Sequence, residues 1–145
     1  MSLDPLKDIQ EAIAKALKKE PFFANVPVIT EAKGDVLNQI ERAIAKIGIS
    51  VVIETLTGKP ETMGVGAYSL DLKVGVTVSE NVVINQGASG SKKTASQVVA
   101  MILCLLNPSR TASPAYAENF VLVNDSGGTL IYLINCRAAA GFKLE

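Results

Sequence analysis

The sequence predicts an α+β fold: a mostly antiparallel mixed sheet of about four strands plus a short edge segment, backed by three helices, in a single domain. Three observations carry this. Tyr68, Leu70, Leu72, Val74, Val76 and Val78 alternate with Ser69, Asp71, Lys73, Gly75, Thr77 and Ser79, the period of a long strand with one buried and one wet face. Sheets wet on one side are usually antiparallel. Two more strand-like runs, 119–124 and 129–138, flank Asp125-Ser126-Gly127-Gly128, which has the chemistry of a hairpin turn. Three other stretches carry helical spacing. A chain of 145 residues suits one core, here expected to order from about residue 5 to 140.

The first helix opens with Asp4 as N-cap and Pro5 at the first helical position, and Leu6, Ile9, Ile13 and Leu17 mark its apolar stripe. It is expected to end near Lys18-Lys19, closed by Pro21. Residues 22–29 then read as a short extended segment, which Pro27 confines to a sheet edge. A second helix spans about Asp35 to Ile47, with Gly48 at its C-terminal cap. The β-branched run Ile49–Thr57 is a strand. The turn formers of 57–66 read as a loop between two strands, and its Gly58, Lys59, Pro60, Glu61 and Met63 are candidate partner contacts. After the long alternating strand and a short apolar, strand-like step at 82–85, the third helix is expected from Ser91 or Lys92 to Leu106, stopped by Asn107-Pro108. Strand edges at 26–29 and 119–124 would be hazards in a monomer and useful interfaces in an assembly.

Composition excludes several kinds of function. Lysine and arginine balance aspartate and glutamate at a formal net charge of zero, so bulk charge does not draw the chain to nucleic acid. There is no histidine, which removes histidine-dependent triads and the commonest zinc ligand. Cys104 and Cys136 sit in apolar runs without C-x-x-C spacing and read as two buried free thiols, kept reduced in the cytosol of synthesis. No apolar run approaches the ~20 residues of a membrane span. Glu11, Glu41, Glu54, Glu80 and Asp71 occur singly on faces expected to be wet, so no carboxylate pair for acid–base chemistry is visible. No catalytic residue, cofactor site or metal site is assigned.

One segment invites a sharper reading. Val82 to Thr94, VVINQGASGSKKT, approximates a phosphate-binding loop, which needs G-x-x-x-x-G-K-[ST]. Counting from Gly87, Lys92 falls where the second glycine belongs, followed by Lys93 and Thr94. Lys92, Lys93 and Thr94 are therefore the phosphate contacts of an alternative, nucleotide-binding reading. The preferred reading makes Gly87 and Gly90 a turn, Ser89 or Ser91 the helix cap, and the lysines solvated.

The succession YSLDLKVGVTVSEN, VVIN, SKKTASQVVAMILCLL and FVLVNDSGGTLIYLINCRA resembles, in layout, the small tail terminator and neck proteins of long-tailed bacteriophages and prophages. The resemblance spans about Leu6 to Ala138. It implies a virion structural protein, made in the bacterial host cytoplasm and carrying no catalytic residues. It also implies a homo-oligomeric ring, often a hexamer, that caps the tail tube and meets the head connector or neck proteins. Membrane is not among the implied partners, and the only nucleic acid is DNA passing through the ring lumen.

Overall fold

A computed structural model of the chain describes residues 4–31, 34–64, 67–109 and 113–143. Helix α1 (Pro5–Lys18) and a 3-10 turn (Pro21–Phe23) lead into strand β1 (Val28–Thr30). Helix α2 (Val36–Lys46) and strands β2 (Ile49–Gly64) and β3 (Ala67–Asn81) follow. A one-turn helix α3 (Val82–Asn85), helix α4 (Ala95–Leu105) and the hairpin β4 (Tyr116–Asn124) and β5 (Thr129–Lys143) complete the order. The expected α+β class is what forms. Among the described residues, the strands make one five-stranded sheet in the order β1-β2-β3-β5-β4. β1 runs parallel to β2, and every other pair is antiparallel.

The alternation in β3 sets the layers. Leu72, Val74, Val76 and Val78 enter the main core with Val51 and Ile53 of β2 and Ile134, Cys136 and Ala138 of β5. α1 supplies Ile13 and Leu17 to this core, and α4 supplies Val98, Val99, Ile102 and Leu105. α1 starts as its sequence dictates: the Asp4 side chain accepts from the Lys7 N–H at 3.1 Å and Pro5 takes the first helical position, where no N–H is missed. α2 is different. Its Ala43 packs with Ile29 and Val52, flanked by Val36 and Ile40, in a second, smaller cluster. Val52 lies between Val51 and Ile53 on the strand, so α2 covers the opposite face of the sheet from α1 and α4. Among the described residues, the β1–β2 end therefore has helices on both faces, and the rest of the sheet has one open face.

Four expected boundaries are corrected. Residues 57–64 are not a loop: they continue β2, with Gly58 opposite Leu72, Lys59 opposite Asp71, Pro60 opposite Leu70 and Glu61 opposite Ser69. Val65 and Gly66, the rest of that expected loop, lie outside the described residues. Pro60 is tolerated because β1 pairs only with Val51, Val52 and Ile53, so the far part of β2 is itself a sheet edge, where a missing N–H costs no ladder bond. The step 82–85 is helical, because the Asn81 side chain accepts from the Ile84 N–H at 3.1 Å and caps the turn. The expected extended segment from Phe22 narrows to β1, since Pro21 starts a 3-10 turn that carries Phe22 and Phe23. Finally, α4 begins at Ala95 rather than at Ser91 or Lys92. Thr94 is its N-cap and forms a reciprocal capping box with Gln97.

Candidate functional surface

The glycine-serine turn between α3 and α4 turns many of its polar groups inward. The Gly87 N–H donates to the Ile84 carbonyl, the Gly90 N–H to Gly87 and the Lys92 N–H to Asn85. The Lys93 N–H donates to Ser91 Oγ (3.1 Å), the Thr94 N–H to Gln97 Oε1 (2.9 Å) and the Ala95 N–H to Glu80 Oε1 (3.0 Å). A phosphate loop works by leaving such donors free to converge on its anion. Here a carboxylate of the same chain, Glu80, sits at the N-terminus of α4, where the helix dipole favours negative charge.

Asn85, fully buried, organises this turn. Its Nδ2 donates to Glu80 Oε2 (2.5 Å) and to the Lys93 carbonyl (2.7 Å), while Ser91 Oγ donates to its Oδ1 (2.5 Å). Two glycines make room for it. A Cβ on Gly90 would fall 1.9 Å from the Asn85 carbonyl oxygen. One on Gly48, whose φ of +85° already favours glycine, would fall 2.3 Å from the Asn85 nitrogen.

The three residues of the phosphate alternative have separate fates. Lys92 is exposed, at a left-handed φ of +62°. Lys93 is half-buried rather than solvated: its Nζ donates to the Phe22 carbonyl and to Asn25 Oδ1 (2.9 Å), and lies 4.7 Å from the centroid of the Phe22 ring. Thr94 is the helix cap, a role the sequence reading gave to Ser89 or Ser91. Two further expectations change. Glu80, expected on a wet face, is 2% exposed. The alternation of Val74, Val76 and Val78, carried one step further, would have placed it on the core face. Cys104, expected to be buried, is exposed, because it falls between the α4 stripe positions Ile102 and Leu105. Cys136 is buried as expected, its thiol pKa pushed up to about 12 by burial and then by the charge of Glu118.

The candidate partner contacts spread over both faces of β2. Lys59 lines a small polar cleft of about 260 Å³ with Lys73, Asp71 and Arg137 on the open face. There Arg137 Nη2 contacts Asp71 Oδ2 at 2.8 Å, with Glu118 Oε2 3.8 Å from Nη1. The Asp71 hydrogen bond and charge raise the Arg137 pKa further. Gly58 and Pro60 lie on the other face, where with Leu6, Leu70 and Leu72 they border an apolar groove of about 350 Å³. Glu61 is exposed, and the backbone of Met63 continues the strand.

The most conspicuous surface is one that sequence reasoning named only as an edge. On β4, Phe120, Val121, Leu122 and Val123 are 50%, 49%, 43% and 58% exposed. Register with β5 puts Phe120 and Leu122 on the face of Ile134 and Tyr132, and Val121 on the opposite face with Leu133. The run is thus apolar on both faces, the pattern of a strand covered twice, yet it stands at the end of the sheet. Phe120 makes an edge-on contact with Tyr132, at 6.3 Å between centroids.

Among the described residues, no group of three or more His, Cys, Asp and Glu side chains is placed to hold a metal ion. No helix among them is long and apolar enough to cross a membrane. A scan against protein-family models and a search of curated proteins each found no match.

Proposed function

We propose that this chain is a structural subunit that works by assembling with copies of itself into a closed ring. In line with the layout resemblance, we read the ring as a tail terminator or neck component of a virion. It caps the tail tube, stops its growth and presents a surface to the head connector, with DNA passing through its lumen. The observation that carries the reading is β4, a sheet edge with four consecutive apolar side chains about half exposed. Such an edge invites uncontrolled pairing in a monomer, and an assembled subunit buries it. A formal net charge of zero leaves little repulsion between copies. The alternative nucleotide-binding reading has little to support it, since the N–H groups of Lys92, Lys93 and Thr94, the three residues it assigns to the phosphate, are engaged within the chain.

Mass measured by sedimentation across a concentration series, with and without a tail tube protein added, tests the reading. A discrete closed oligomer is expected, and Val121→Lys with Val123→Lys should return it to monomer without changing its circular dichroism. A strict monomer under every condition, tube protein included, would defeat it.

A further inference from the structure

We infer that the slot beside β1 is the acceptor for β4 of the neighbouring copy, so that one sheet runs on from subunit to subunit. The inference rests on the ring reading above and adds which two surfaces meet.

β1 is the other end of the sheet, and its outer side has no strand neighbour among the described residues. Two adjoining clefts, of about 590 and 700 Å³, follow it and share Lys18, Val28, Ile29 and Gln39. One is walled by α2 and the other by α1. This is the only end of the described sheet with helices on both faces, because Val28 packs into the main core and Ile29 into the cluster beneath α2. A strand added to β1 here would be covered above and below. That is the environment the two-faced run Phe120–Val123 lacks in its own subunit. Pairing β4 with another β4 would join two edges at which α2 is absent, leaving Val121 on an open face.

Charge points the same way. Lys15 and Lys18 of α1, its C-cap residue Lys19, and Arg42 and Lys46 of α2 border the clefts, with Glu11 the one carboxylate among the lining residues. None of these five cations is in an ion pair among the described residues. β4 is apolar at its centre and acidic at its flanks, with Glu118 and Asp125 both exposed. An apolar strand with acidic ends fits an apolar floor with cationic rims. Because donor and acceptor differ, the contact is head-to-tail, the kind that closes rings.

The test uses two disabled full-length chains under conditions where wild type assembles. The donor-dead chain carries Val121→Lys and Val123→Lys. The acceptor-dead chain carries Lys18→Glu, Arg42→Glu and Lys46→Glu, all at exposed positions. Each alone should sediment as a monomer, and an equimolar mixture should give a dimer and nothing larger, since one working interface remains per pair. A second acceptor-dead chain, Gln39→Trp, blocks both clefts without reversing charge and should behave alike. If the acceptor-dead chains assemble as wild type does, or the mixture stays monomeric, the slot is not the acceptor, while the ring reading stands. If wild type itself never assembles, the ring reading falls and this inference with it.

Discussion

The turn between α3 and α4 and the strand β4 are opposites in how they use their side chains. The turn looked like a place for chemistry, yet Ser91, Asn85 and the amides of Gly87, Gly90, Lys92 and Lys93 are bonded within it, and Glu80 accepts from the first amide of the helix that follows. The run Phe120–Val123 of β4 has no polar side chain, yet it leaves apolar surface unsatisfied on both faces of an open edge. Polar residues clustered around glycines are thus a poor guide to a binding site when the N–H groups of the very residues expected to bind already have internal acceptors. Unfilled demand for a partner is the better guide, and in this chain it is apolar.

The largest stability effect should come from the turn. Gly90→Ala would press a methyl group against the Asn85 backbone, which cannot move without disturbing Glu80 and Lys93. We expect a loss on the order of 3 kcal/mol, read from denaturant midpoints, comparable to other overpacked or strained core positions. A loss below about 1 kcal/mol would mean that the turn is looser than its contacts imply. Lys93→Met sharpens the comparison. It removes the hydrogen bonds to Phe22 and Asn25 and the cation–π contact but keeps most of the side-chain volume, and should cost about 1–2 kcal/mol. A solvated lysine would cost nothing. The smallest effect belongs to β4: Val121→Thr with Val123→Thr should move monomer stability by no more than about 0.5 kcal/mol while weakening assembly. A large destabilisation of the monomer would show that these valines serve their own fold after all.

Much of the architecture was legible because period and turn chemistry are local. The alternation in β3, the Asp4-Pro5 start of α1 and the Gly127-Gly128 hairpin each state their structure in a few residues. What escaped depended on neighbours. Gly58 and Pro60 read as loop because the sequence does not say that β1 stops after three residues and leaves β2 a free rim. Val82 and Val83 read as extended because the cap that curls them, Asn81, acts through a side-chain bond that competes with β propensity. The positions of Glu80 and Cys104 were available from strand and helix phase. The edge at 119–124 was legible too, but the exposure of apolar side chains on both its faces was not, since nothing in the run FVLV states which of them a helix covers.

One consequence follows from the pair of glycines around Asn85. Gly48 ends the helix on one side of the sheet and Gly90 precedes the helix on the other, and both bear on the backbone of the same residue with no space for a single added carbon. Asn85 is therefore a shared pivot, clamped from two directions. A rocking motion of α2 cannot carry Gly48 inward without pushing the peptide on which the start of α4 is hung.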